Sequence, residues 1–312
     1  MNIVHTVTLS LFKLWQRIGK APGWYCQTVD RWGPRLYPGH PLDTRLRNGC
    51  RIHCDLRDHV SRFIYFHGLY EPIETYFFFH LLSPGATVID AGANIGQYTL
   101  LAATRVGPTG SVHSFEPVPA TFAVLSKHVR SNGLTNVTLN RLALWNAAGT
   151  VRLGLENQEQ LNTGSYSIGV GDAAEAITAP AVCLDEYAAT HGLQRIDMIK
   201  MDIEGAELFA LQGMRTVLHR DRPYLLMELN KQAAKKLGYE TQAIWDFLQG
   251  IGYRAWAIGP SSKQSGPVTS LPPLGQQNLL FYDKDLPQAV RQGWTLKSIL
   301  RWARTGETPA HV

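Results

Sequence analysis

"TVIDAGANIGQYTL", Thr87 to Leu100, decides how the rest of the chain is read. An apolar run ends at Asp90, two glycines bracket Ala93-Asn94-Ile95, and a helical pattern follows. That order is a strand, a tight glycine loop and a helix. In an open parallel sheet such a loop lies where ligands bind, beyond the carboxyl end of the strand. A phosphate loop of the Walker type needs Gly-Lys-Ser/Thr, and no lysine follows Gly96. A dinucleotide loop needs Gly-x-Gly-x-x-Gly, so that backbone N–H groups meet a pyrophosphate. Here Asn94 stands at the middle position, and a carboxylate at Asp90 would repel phosphate.

Outward from this loop, short apolar runs alternate with helical patterns from about residue 86. "TVIDA", "SVHSFEP", "NVTLNRLAL", "IDMIKMD", "PYLLMEL", "YRAWAI" and "NLLFYD" read as seven strands. Residues 96–106 and 118–132, the stretch "GAELFALQGMRTVLH" and residues 231–250 read as helices, and "GTVRLGL" as an added strand. This alternation predicts an α/β domain with a mostly parallel sheet and helices on both faces. The last two strands are joined by "GPSSKQSGPVTSLPPLGQ", a Pro/Gly/Ser loop with no helix, so the last strand is expected to return antiparallel. The polar, Gly-rich segment 156–176 is long for a plain connection and reads as a functional loop. The expected organisation is an extension over 1–60 with at most a hairpin at 47–56, a catalytic domain over 61–290, and an amphipathic tail over 291–312.

The acid that disfavours phosphate favours a cation. S-adenosylmethionine has a sulfonium and an ammonium group and no phosphate, so Asp90 would assist it. Glu116 ends the second strand, where an acid can accept both ribose hydroxyls. Two acids bracketing a glycine loop suit a cationic nucleoside.

With these residues in place, the sequence resembles a family. "VIDAGANIGQYTLLAA", "VHSFEPVPATFAVLSKHVRSN", "LNRLALWNAAG", "LDEY", "IDMIKMDIEGAELFALQGM" and "PYLLMELN" look like the FkbM family of S-adenosylmethionine-dependent methyltransferases, in the family's order over roughly 65–285. The resemblance implies a class I methyltransferase, Rossmann-like fold with seven strands. It also implies methyl transfer to a hydroxyl oxygen of a sugar or other natural product. It further suggests that Tyr70, Glu71 and Glu74 close over the methionine end of the cofactor.

Candidate roles follow from position. Gly92, Asn94 and Gly96 form the cofactor loop. Asn140 and Ala143, on the third strand, are placed to line an adenine pocket. Asp202 and Glu204 lie at the turn after the fourth strand, and either is a candidate base. Their competing role is to cap the next helix, which Glu207 fits better. Lys200 lies inside the fourth strand and is read as pairing with a buried acid. Glu228 and Asn230 end the fifth strand and are assigned to acceptor binding. With Asp202 they also make an oxygen-rich set, but no metal is assigned. Asn162, Gly164 and Ser165 are assigned acceptor contacts.

Charge narrows the partners. The net charge is +5, and residues 1–50 hold seven Lys and Arg against Asp30 and Asp43. Residues 291–312 hold four against Glu307, so the middle is acidic. A nucleic-acid enzyme places its basic stripe at the active site. The turn Asp-Ile-Glu-Gly also differs from the Pro-Pro-aromatic turn of base-amino methyltransferases, and nucleic acid is disfavoured as acceptor. Val4, Val7, Leu11, Leu14, Trp15 and Ile18, and Trp294, Ile299 and Trp302, recur at helical spacing among basic residues. Docking on the domain is the preferred reading of these two ends, and contact with an anionic membrane the alternative. Cys50, His53 and Cys54 lack a second ligand pair for zinc, and four cysteines in 312 residues suggest a reduced, cytoplasmic protein. The functional alternatives are an NAD(P)-dependent oxidoreductase, for which no convincing Tyr/Lys pair is found, and a non-catalytic cofactor-binding protein.

Overall fold

The structure, a computed structural model, describes residues 29–155, 166–168, 176–273, 275–292 and 294–305. An antiparallel hairpin, β1 (Leu42–Arg45) and β2 (Arg51–Cys54), precedes helices α1 (His59–His67) and α2 (Pro72–Leu81). Next come β3 (Thr87–Ala91), α3 (Gln97–Val106), β4 (Ser111–Phe115), α4 (Pro119–Ser131) and β5 (Val137–Asn140). They are followed by β6 (Ala143–Leu144), β7 (Gly149–Leu155), β8 (Tyr166–Ile168), β9 (Ile177–Val182), α5 (Leu184–Thr190) and β10 (Met198–Met201). Helices α6 (Glu207–Gln212) and α7 (Arg215–Asp221) lead to β11 (Tyr224–Asn230), α8 (Lys231–Lys236) and α9 (Gln242–Gly250). The described chain ends with β12 (Arg254–Ala257), β13 (Gly266–Val268), β14 (Gln276–Tyr282), α10 (Gln288–Arg291) and α11 (Leu296–Thr305).

The main sheet has the order β13-β12-β14-β11-β10-β3-β4-β5. The strands from β11 to β5 run parallel, and β14 enters antiparallel between β11 and β12. This is the α/β class I methyltransferase fold, with the antiparallel last strand expected from the helix-free connection. The hairpin spans 42–54 rather than 47–56, and "GAELFALQGMRTVLH", read as one helix, is two, broken at Gly213-Met214. Two features of the sheet also differ from expectation. The sheet has eight strands, because β13 forms within the Pro/Gly/Ser connection and pairs with β12 at the edge. The run "NVTLNRLAL" is two strands. It leaves the main sheet after Asn140, and Ala143 pairs with Ala181 in a second sheet of order β6-β9-β7-β8. The break falls at Asn140-Arg141, between a half-exposed first strand and a buried two-residue second one. "GTVRLGL" is an added strand, in this second sheet.

Successive residues of the central strands face opposite layers, as the pleat requires. Val88, Met198, Leu226 and Leu280 join the core beneath α2, α3 and α11, and Ile89, Ile199, Leu225 and Leu279 join the core beneath α5, α6, α7 and α9. Both faces are therefore covered, which is why these strands are mostly apolar on both sides. Local signals set the helix ends. Asp58 Oδ1 accepts the Ser61 N–H at the start of α1, and Pro72 and Pro119 open α2 and α4.

The apolar side of α11 packs on α2. Trp294, Ile299 and Trp302 are buried, and the Arg47 guanidinium lies 3.8 Å from the Trp302 ring centroid and 4.4 Å from that of Phe79. This is the docking preferred for the C-terminal end; the N-terminal pattern over 4–18 lies outside the described residues. Trp302→Ala is expected to cost about 3–5 kcal/mol, lowering the thermal midpoint by roughly 10 °C in calorimetry. A change under about 2 °C would show that the helix contributes little. Among the described residues no helix is long and apolar enough to cross a membrane.

The hairpin is tied to the glycine loop. The His53 N–H donates to His128 Nε2 at 2.9 Å, so Nδ1 holds the ring proton and donates to the Ile95 carbonyl at 2.7 Å. Asn132 pairs with both backbone groups of Arg51.

Candidate active site

A cleft opens at the carboxyl ends of β3, β4 and β10, enclosing about 930 Å³ of empty space with the solvent at its mouth included. The loop after β3 forms its floor. Gly92 has φ +78°, and a Cβ there would lie 1.9 Å from the Asp202 carbonyl oxygen, so the β3 and β10 turns touch backbone to backbone. Gly96 has φ +98° and starts α3 against Leu125, without lining the cleft.

The loop's hydrogen bonds decide what it can hold. The Gly92 and Ala93 N–H groups both donate to the Phe115 carbonyl at 3.0 Å, and the Gly96 N–H to that of Ala93 at 2.9 Å. The Asn94 N–H donates to Glu116 Oε2 at 2.9 Å and the Ile95 N–H to Asn94 Oδ1 at 2.7 Å. Every N–H from Gly92 to Gly96 is spent inside the protein. A pyrophosphate site requires such groups aimed outward.

The ends of the cleft differ in chemistry. On the β4–β5 side, Phe115, Val118, Leu142, Ala143 and Leu144 meet Leu153, Tyr166 and Ile168 of the second sheet. Glu116 is buried there, its other oxygen accepting the Val118 N–H at 2.9 Å. Burial pushes its pKa up to about 7, against the pull of these two N–H groups. On the β10 side the lining includes Tyr70, Glu71, Tyr98, Lys200, Asp202 and Glu204. The Tyr98 hydroxyl donates to Glu71 Oε2 at 2.9 Å. The Lys200 ammonium, 3 % exposed, lies 3.2 Å from Asp202 Oδ2 and 4.9 Å from the Tyr98 ring centroid. Burial lowers the pKa of Lys200, but Asp202, Glu71 and other acids outweigh it and leave it raised.

Just outside the lining, Glu228 brings a carboxylate oxygen within 4.8 Å of oxygens of Glu71 and Asp202. This cluster already contains the Lys200 ammonium, so it reads as an ion network rather than as a metal seat. Three residues that line the cleft, Glu71, Asn94 and Glu204, hold left-handed backbone conformations without being glycine. Strain of about 1–3 kcal/mol per residue collects where function requires it.

The residue family is decided by the sequence match to this region. The sequence model of the "Methyltransferase FkbM domain" matches residues 90–255, more than half of the chain. The chain belongs to the FkbM methyltransferase domain family. It is 30% identical to the methyltransferase sdnD of Sordaria araneosa over 155 residues, which cover 41% of this chain and 60% of that protein. It is 28% identical to the 31-O-demethyl-FK506 methyltransferase FkbM of Streptomyces tacrolimicus over 163 residues, 43% of this chain and 61% of that protein. With the hexuronic acid methyltransferase AglP of Haloferax volcanii it shares 26% over 129 residues, 41% of this chain and 50% of that protein. The chain thus spans about half to three fifths of the length of these relatives.

Within this FkbM domain, Tyr70, Glu71, Gly92, Asn94, Glu116, Ala143, Asp202 and Glu204 meet at one cleft. Tyr70 and Glu71 had been expected there from the family resemblance, and the others from their positions in the loop or on the strands. Six described residues expected at the site do not line the cleft: Glu74, which accepts from Asn278 Nδ2 at 3.2 Å, Gly96, Asp90, Asn140, Asn230 and Glu228, the last just outside it. Asp90 does not line the cleft: it shares the pleat face of Val88, accepts from Thr99 Oγ1 at 2.6 Å, and stands beside Lys200 in register. Asn140 accepts the Tyr187 hydroxyl at 3.1 Å and donates to the Ser114 carbonyl at 3.2 Å, outside the cleft. Asn230 caps α8 by accepting from Gln232 and Ala233 N–H, and Glu228 is bonded to Gln276. Asn162, Gly164 and Ser165 lie outside the described residues. Glu207, expected to cap α6, instead closes the turn before it, its Oε1 accepting the N–H of Ile203 and Gly205. Tyr98 was missed, although it is the second residue of the helix that the glycine loop begins.

Proposed function

We propose that this FkbM domain uses S-adenosylmethionine to methylate a hydroxyl oxygen of a sugar, glycan or secondary metabolite. The observation that carries the cofactor reading is the inward use of every loop N–H, together with acids facing the cleft. The residues fit the cofactor's chemistry. Phe115, Val118, Leu142 and Ile168 offer an apolar seat for a purine, Glu116 offers acceptor lone pairs to ribose hydroxyls, and Glu71 and Asp202 face a cation. The bound cofactor supplies a methyl group activated by a sulfonium. Asp202 is the candidate base: Lys200 holds its carboxylate at the cleft, and Glu71 and Glu228 beside it can share the proton it takes. Glu204, on the same turn, orients the acceptor. The relatives support the acceptor class, one being a 31-O-demethyl-FK506 methyltransferase and another a hexuronic acid methyltransferase.

Isothermal titration of the protein with S-adenosylmethionine and with NAD tests the cofactor. Roughly micromolar binding of the first is expected, in the range usual for enzyme substrates, and none of the second. Tight NAD binding without S-adenosylmethionine binding would overturn the reading.

A further inference from the structure

Three carboxylates of the β10 side share one ammonium. Glu71 comes from the turn before α2, Asp202 from the end of β10 and Glu228 from β11, and an oxygen of each lies within 4.8 Å of the others. Lys200 is their close cation, its Nζ 3.2 Å from Asp202. Groups facing Glu71 from the packed elements are the adjacent Tyr70, Tyr98 of α3, Lys200 and Asp202 of β10 and its turn, Glu74 of α2, and Glu228 of β11. One of these is cationic. Like charges this close, on three half-buried side chains, resist ionising together, so the cluster holds protons that a single ammonium does not displace. A cation entering the cleft changes that balance.

Resting on the S-adenosylmethionine reading above, we propose that the cationic cofactor displaces a proton from the Glu71–Asp202–Glu228 cluster to solvent as it binds, and that its neutral demethylated product does not. The two ligands differ by one positive charge at sulfur, so the cluster can distinguish them by charge alone. Burial, with the repulsion of Asp202, raises the pKa of Glu228 to about 8, and burial raises that of Glu71 to about 7 against the pull of Lys200. Protons are therefore present to be released near neutral pH. The sign is set by linkage: a ligand that prefers the ionised cluster lowers these pKa values, so its affinity rises with pH while the free cluster is protonated. The rise should level off above about pH 8, where Glu228 of the free protein has lost its proton. The consequence for turnover is a charge exchange. Binding frees a carboxylate, which then takes the proton of the acceptor hydroxyl as the C–O bond forms and the C–S bond breaks. The cluster is left neutralised and the product uncharged at sulfur.

Titration calorimetry in two buffers of different ionisation enthalpy, at pH 7, reads the proton directly and needs no acceptor. For S-adenosylmethionine we expect release of about half to one proton, with affinity rising by up to roughly tenfold per pH unit below pH 8. S-adenosylhomocysteine should release less than about a quarter of a proton and bind with little pH dependence. Glu71→Gln and Glu228→Gln each remove part of the release, and the double substitution removes it. Either single variant suffices if the other melts early. Buffer-independent heats for S-adenosylmethionine, equal release for both ligands, or full release in the double variant would overturn the proposal. Absence of binding by the wild-type protein would instead overturn the cofactor reading, and this inference with it.

Discussion

Gly92→Ala is expected to abolish cofactor binding and to destabilise the fold by about 3 kcal/mol. Gly92 has φ +78°, a left-handed conformation that a side chain disfavours by about 1–2 kcal/mol. A Cβ there would lie 1.9 Å from the Asp202 carbonyl oxygen and 2.9 Å from its carbon. These are backbone atoms of the neighbouring turn, and they cannot swing aside as a side-chain tip can. The Asp202 N–H is meanwhile bonded to the Ala91 carbonyl at 3.1 Å, so relief requires separating β3 from β10 at their ends. Relief of overpacking of this kind adds about 1–3 kcal/mol. The cleft floor moves with the loop, so binding fails before unfolding does. Chemical denaturation with calorimetric titration checks both effects. A variant with wild-type stability and affinity would mean that the two turns do not touch in solution.

Asp202→Asn is expected to lower turnover by about 10²–10⁴-fold, the usual contribution of a general base, with cofactor affinity changed far less. The substitution keeps the side chain's shape. The Lys200 ammonium loses its close counter-ion, but Glu71, Glu228 and Asp90 remain around it, so folding should survive. Glu204→Gln is expected to cost less than about tenfold and mainly in acceptor KM, since that residue is given an orienting role. If Glu204→Gln has the larger effect on kcat, the two roles are exchanged. Thermal melts alongside single-turnover assays separate chemistry from stability. An Asp202→Asn enzyme within threefold of wild type would remove Asp202 from the mechanism.

Much of this arrangement was legible in particular residues. The runs around Val88, Met198 and Leu226 are mostly apolar and bounded by helical patterns, so the parallel sheet was readable. Glu116 was readable because it directly follows a strand beside a glycine loop. Asp90 was misread for a reason of geometry. Its acidity pointed to a cation, but pleat parity turns it toward Thr99 and Lys200, and sequence does not say which face of a strand end looks into the cleft. Its charge acts on the site at one remove, through Lys200. The Lys200 side chain interrupts an apolar strand, which pointed to an acid partner; the structure gives it Asp202, at the cleft and not buried. Asn230 carried a signal that was passed over: asparagine directly before a helix is a favoured cap. The second sheet left little trace, because β6 is two residues long and its partner, β9, lies far along the chain.

The position of β14 bears on how the chain is made. The strand synthesised last among those of the main sheet lies in its interior, between β11 and β12. Until Tyr282 has left the ribosome, β12 has no central partner and β11 presents a bare edge with Leu225, Leu226 and Met227 behind it. Open strand edges on slow-forming parallel sheets are where nascent chains pair wrongly. The nascent domain therefore passes through a stage in which every residue of the glycine loop and of the carboxylate cluster has been made, and the sheet that aligns them is still missing a strand.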